Sequence, residues 1–263
     1  MPCRSASATN GLWRERTVTH GAQGEVGFER RAARYDELRP VDANWWEIFD
    51  AVVRMGELRG RRVLEVGCGT GRLSQALADR ALARVWAVDA STAMVERARE
   101  LGVNARVARA EALPFKQGWF DAVVMRMLIH LVDRRRAFTE ASRILGPAGK
   151  AVIATEDPAS FDEVWFTRYF PSVPELDRAR FPGADTLRDE LAAAGLPDVQ
   201  VESLSQERTI SREQALDVVR SRAYSTFDLL DPDEYAAGLA RAEAELPDPL
   251  SYRFDWLLVT ATR

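Results

Sequence analysis

The segment Val63-Leu64-Glu65-Val66-Gly67-Cys68-Gly69-Thr70-Gly71 constrains this 263-residue chain more than any other. An apolar run ends in glycines at every second position, and a stretch with helical spacing, 72–80, begins at once. The pattern reads as a strand, a tight turn and a helix N-terminus. Glycine adopts backbone conformations closed to other residues and carries no Cβ to block a ligand. The helix start presents unpaired N–H groups to negative charge. Asp89, with Ala90 beside it, closes a second apolar run, 85–88. A carboxylate at that strand end is placed to accept hydrogen bonds from two ribose hydroxyls.

Two cofactor classes fit this outline, and spacing separates them. A dinucleotide fold requires G-x-G-x-x-G, with the third glycine where helix meets strand. Here Arg72 holds that position and the third glycine, Gly71, comes one residue early. The set Glu65, Gly67, Gly69, Gly71 and Asp89 resembles class I S-adenosylmethionine (SAM)-dependent methyltransferases instead. The similarity spans about residues 28–205 and is nearest to the methyltransferase type 11 group, which includes ubiquinone and menaquinone methyltransferases. It implies an α/β fold of Rossmann-like type: a seven-stranded, mostly parallel sheet with helices on both faces. It also implies SAM as cofactor and methyl transfer to an O, N or C nucleophile of a small metabolite, natural-product tailoring included. A Rossmann oxidoreductase using NAD(P) and a SAM-binding protein without catalysis are the competing readings.

The resemblance assigns further residues. Glu65 is placed for the cofactor ammonium, and Cys68 is a small loop residue. Met94 is placed against an adenine face, and Ala110-Glu111-Ala112-Leu113-Pro114-Phe115 matches an adenine-binding loop in which the acidic residue accepts the amino group. The backbone from Arg126 to His130 borders the methionine part. Tyr35-Asp36-Glu37-Leu38-Arg39-Pro40 matches a Y-D-x-x-R-P motif whose tyrosine and arginine fold over that end; Tyr35 faces the sulfonium and Arg39 a carboxylate. Methyl transfer from a sulfonium needs alignment and exclusion of water more than a strong catalytic group. Where a base is needed, His130, Glu156 and Asp157 are the candidates. Tyr35, His130 and Asp157 are therefore the expected catalytic side chains.

Alternating strands and helices are expected along the chain: strands at 62–66, 84–88, 105–108, 122–125, 150–155, 199–204 and 254–262, the last antiparallel. Helices are expected at 28–35, near 45–53, and at 72–80, 92–101, 135–144, 185–194, 212–228 and 231–246. Residues 1–24 read as a flexible N-terminus and 25–263 as one domain. Its core is 28–205 and 250–263. Segments 158–183 and 211–249 are expected to form a helical, aromatic lid, and Trp165, Phe166, Tyr169 and Phe170 suggest a pocket for an apolar or aromatic substrate.

Composition narrows the partners. The net charge is −4, and no basic stripe interleaved with aromatics suggests nucleic acid. Of 36 basic residues only Lys116 and Lys150 are lysine, so Arg134-Arg135-Arg136 reads as compositional bias, a solvated helix start. No run is long and apolar enough for a membrane span. Two cysteines give no disulfide framework, and no metal cluster is apparent. His20 lies in the polar N-terminus and is discounted. A cytoplasmic monomer or homodimer is expected.

Overall fold

The computed structural model describes residues 35–263. The expectations for residues 1–24 and for a helix from Phe28, with Cys3 and His20, lie outside them. Seven strands form one sheet: β1 (Arg62–Val66), β2 (Arg84–Asp89), β3 (Ala105–Val107), β4 (Phe120–Arg126), β5 (Leu145–Glu156), β6 (Asp198–Ile210) and β7 (Leu250–Thr262). Their order is β3-β2-β1-β4-β5-β7-β6. The first five pair in parallel, and β7 runs antiparallel between β5 and β6. This is the seven-stranded, mostly parallel arrangement expected from the sequence.

Alternation along the strands decides which helices cover which face. Val63, Ala122, Val124, Val152, Ala154, Trp256 and Leu258 face α1 (Ala43–Gly56) and α2 (Arg72–Arg80). α3 (Thr92–Glu100) joins that face through Val95 and Ala98 against Ala87 and Ala105. On the other face Leu64, Val66, Val123, Met125, Ile153 and Val259 meet α4 (Arg134–Ile144) and α6 (Ala184–Ala193). The short α5 (Val173–Arg178) precedes α6.

Three departures from the sequence reading have physical causes. Strand β5 does not wait for the Gly146-Pro147 turn but starts at Leu145, which pairs with Phe120. The predicted helix at 212–228 ends early: α7 spans Arg212–Arg220, Arg222 takes a positive φ, and a separate 3-10 turn covers Ser225–Asp228. Strands β6 and β7 pair continuously from Asp198↔Thr262 to Ile210↔Leu250. The polar run 205–210 carries no strand signal; its partner strand supplies the hydrogen bonds. Beyond Trp256, where β5 stops, this ribbon extends past the parallel strands.

The extension carries a second apolar cluster. Phe166, Tyr169, Phe170, Val173, Ala215, Leu216, Val219, Phe227 and Leu230 pack with Ala242 and Leu246 of α8 (Pro232–Glu245) and with Leu250. Phe166, Tyr169 and Phe170 are at most 3% exposed. These rings were expected to line a substrate pocket; they bind segments 158–183 and 211–249 to each other instead. Trp165 is partly buried, against Phe166 and Tyr252. Arg134 also departs from a solvated helix start: its guanidinium grips Glu190 at 2.7 and 2.9 Å and ties α4 to α6.

Candidate functional site

The glycine turn sits where β1 meets α2. Gly67, Gly69 and Gly71 have φ of +74°, +52° and +87°, values that favour glycine. Their roles differ. A Cβ on Gly67 would strike Leu128 at 2.7 Å, and one on Gly71 would strike Ala98 at 2.9 Å. These two glycines permit close packing. A Cβ on Gly69 would meet only Tyr35, at 3.8 Å, so this glycine faces open space beneath the tyrosine ring. Cys68 is buried, and burial pushes its thiol far up, which leaves it inert.

Asp89 comes to this turn from the neighbouring strand. Its carboxylate accepts from the Gly69 N–H at 2.8 Å and from the Ser91 N–H at 2.9 Å. Ser91 caps α3 through the Met94 N–H. Ala90 is exposed between them, while Met94 is 2% exposed and Ala110 5% exposed, both within the packed interior.

Glu65 is 3% exposed and accepts a 2.5 Å hydrogen bond from the Ser74 hydroxyl. Burial raises its carboxyl to about 8, against the opposing effects of Ser74 and Arg126. Burial thus favours the neutral form of this carboxyl. Glu111 pairs with Arg109 at 3.3 Å and accepts from the Asp133 N–H at 3.1 Å. Glu140 and Arg143 of α4 hold the same loop, through the Leu113 N–H and the carbonyls of Leu113 and Phe115. Ala112 lies on it, half-buried.

The Tyr35–Arg39 segment closes over the turn. Arg39 lies 4.2 Å from the centre of the Tyr35 ring and donates to the Ala223 carbonyl at 2.5 Å. Asp36 anchors the segment by accepting from Thr70 at 2.7 Å and pairing with Arg72 at 3.2 Å. The sequence reading missed this anchor, although Thr70 and Arg72 flank Gly71 and Asp36 follows Tyr35.

Two expected catalytic groups are otherwise engaged. Asp157 was expected at the pocket mouth as a proton acceptor; its carboxylate instead caps the turn Pro158–Glu163 through the Ala159 N–H at 3.0 Å. His130 stacks on Phe181 with centroids 4.1 Å apart. Its Nδ1 is buried without a partner, and burial aided by Arg180 lowers its pKa to about 3. A ring this hard to protonate is a packing element and a poor base near neutral pH.

Comparison with known proteins bears on the same region. A methyltransferase-domain family model matches residues 64–153. The malonyl-[acyl-carrier protein] O-methyltransferase of Geobacter sulfurreducens is 35% identical over 186 residues, 66% of this chain and 70% of its own. The chain belongs to the class I SAM-dependent methyltransferases. A ubiquinone biosynthesis O-methyltransferase of Xanthomonas oryzae is 41% identical over 150 residues, 48% of this chain and 62% of its own. The methyltransferase also shares its fold with a crystal structure from Anabaena variabilis, described as a putative methyltransferase from an antibiotic biosynthesis pathway. The TM-score is 0.67 at 22% identity, over 87% of this chain and all of the other.

The residues present fit SAM. Gly69 leaves room beneath Tyr35, Asp89 stands at the turn with a carboxylate for hydroxyl donors, and buried Glu65 has no cationic ion-pair partner among the described residues. No helix among the described residues is long and apolar enough to cross a membrane.

Proposed function

We propose that this methyltransferase methylates an O, N or C nucleophile of a small metabolite at the C-terminal ends of β1, β4 and β5. The supporting observation is the 2.8 Å bond from Gly69 to Asp89, which fixes a sugar-binding carboxylate against the one glycine that faces open space. Asp89 receives the ribose, Glu65 the ammonium, Arg39 the carboxylate, and Glu111 the adenine edge. Ala90 and Ala112 shape the walls, Gly67, Cys68, Met94 and Ala110 pack behind them, and the Arg126 backbone borders the methionine end.

SAM supplies a methyl group already activated on a sulfonium. The chain's own residues then align and shield. Tyr35 presents its ring above Gly69, and Arg39 ties that cover to Ala223 of the helical cap. Water exclusion and alignment account for much of the rate, which is consistent with a site where His130 and Asp157 serve packing and capping. The relatives include enzymes named for ubiquinone biosynthesis, which supports a small-molecule acceptor.

Calorimetry with S-adenosylhomocysteine (SAH) tests the site. Asp89→Ala is expected to weaken SAH at least tenfold, since two ribose hydroxyls lose their acceptor. Unchanged affinity would remove the assignment.

A further inference from the structure

Beyond the cofactor crevice, one face of the sheet carries an unusual row at its strand ends. Strand alternation places Arg126 of β4, Glu156 of β5, Trp256 of β7 and Arg208 of β6 on the face covered by α1. Arg126 lies between two indoles, 5.4 Å from the Trp45 ring centre and 5.5 Å from that of Trp256. Its Nε is buried without a partner, and among the described residues the guanidinium makes no hydrogen bond or ion pair. Arginine has five donors, and the buried Nε–H without an acceptor calls for one.

Arg208 repeats the arrangement. It lies 5.1 Å from the Phe254 ring centre, its Nε is also buried without a partner, and its polar contacts are with neutral groups, Gln206 at 3.0 Å and Tyr252. Glu156 is 5% exposed, and its carboxyl makes no hydrogen bond or ion pair among the described residues. Burial and Asp177 raise it to about 8, so it is a hydrogen-bond donor at neutral pH. Arg126 and Arg208 thus stand near one another, with Tyr35 and Glu65 the acidic groups that act on Arg126 and Glu156 near Arg208. The aromatic walls are fixed: Gln206 accepts from the Trp256 N–H at 2.9 Å and donates to the Asn44 carbonyl at 2.8 Å.

We propose that Arg126, Arg208 and Glu156 form the receptor for a carboxylate on the methyl acceptor, whose flat aromatic body lies against Trp45, Trp256 and Phe254. This rests on the methyltransferase site proposed above and names its substrate class, a small aromatic carboxylate. The cofactor's own carboxylate is the other source of such an anion. Position favours the substrate: Arg126 stands one strand from the glycine turn, Glu156 two and Arg208 four, so at about 4.8 Å per strand the receptor extends away from the cofactor. Arg39 stands nearer that turn.

The test uses the full chain, with benzoate as probe and benzamide as its neutral isostere, by calorimetry with and without SAH. Benzoate is expected to bind at least tenfold more tightly than benzamide. Arg208→Gln should weaken benzoate at least tenfold while changing SAH less than threefold; Arg126→Gln should also weaken benzoate at least tenfold, and Arg126→Lys should retain part of the benzoate affinity. Circular dichroism melting confirms that each variant folds; should Arg126→Gln not fold, Arg208→Gln and Arg126→Lys carry the comparison. Equal affinity for benzoate and benzamide, or no benzoate binding, overturns the receptor. So does a tenfold loss of SAH in Arg126→Gln with unchanged binding of the SAH analogue lacking its carboxylate, because the anion is then the cofactor's. Failure of the wild type to bind SAH would instead overturn the cofactor site, and the benzoate titration without SAH reports separately.

Discussion

The guanidinium of Arg39 donates to the carbonyl oxygen of Ala223 across 184 positions of sequence. That contact joins the segment over the glycine turn to the helical cap, and under the proposed function it would couple cofactor enclosure to cap position. Loss of a charged donor to a carbonyl costs about 1.5–3 kcal/mol when buried, and somewhat less at this half-buried site. Arg39→Ala is expected to weaken SAH about tenfold and to speed its release. Stopped-flow dissociation checks this; an unchanged off-rate would uncouple the two parts.

Gly71 is closed to side chains on two counts, its φ of +87° and Ala98 at 2.9 Å from a built Cβ. Gly71→Ala is expected to destabilise the fold by ~1–3 kcal/mol from backbone strain, plus the displacement of α3. Urea unfolding measures it. Gly102, with positive φ but open space, is the control: Gly102→Ala should cost less.

His130 stacks on Phe181 and stays neutral down to about pH 3. His130→Gln should keep a substantial fraction of activity, and the rate profile of the wild type should show no limb near pH 6.5. A complete loss with intact SAH binding would make His130 a catalytic base.

Glu156 gives stability a pH dependence. Its carboxyl titrates near 8 in the folded protein against 4.5 ordinarily. Between these values the native state holds a proton that the unfolded chain has lost, so stability falls as pH rises through the window. Glu156→Gln removes that loss. Its stability relative to wild type should therefore rise from pH 5 to pH 8 in paired urea titrations, and a constant difference would show that the carboxyl is ionised throughout.

Local pattern made much of this protein legible. The strands at 62–66 and 84–88 and the helices at 72–80 and 92–100 follow from apolar periodicity, glycine and a serine cap. The turn and Asp89 were readable because a tight bend and a strand-end carboxylate are local features. The duties of Asp157 and His130 were not, because a cap and a ring stack depend on which atoms arrive from elsewhere.

The sequence by itself determined the parallel core, the glycine turn and the acidic strand end, since short-range spacing and backbone sterics specify them. Only the tertiary structure decided that the aromatics of 158–183 serve packing and that polar residues 205–210 extend a strand. It also brought Arg126 and Arg208, 82 positions apart, onto one face. Strand register and the closing of a distant cap set those outcomes, and neither is written in neighbouring residues.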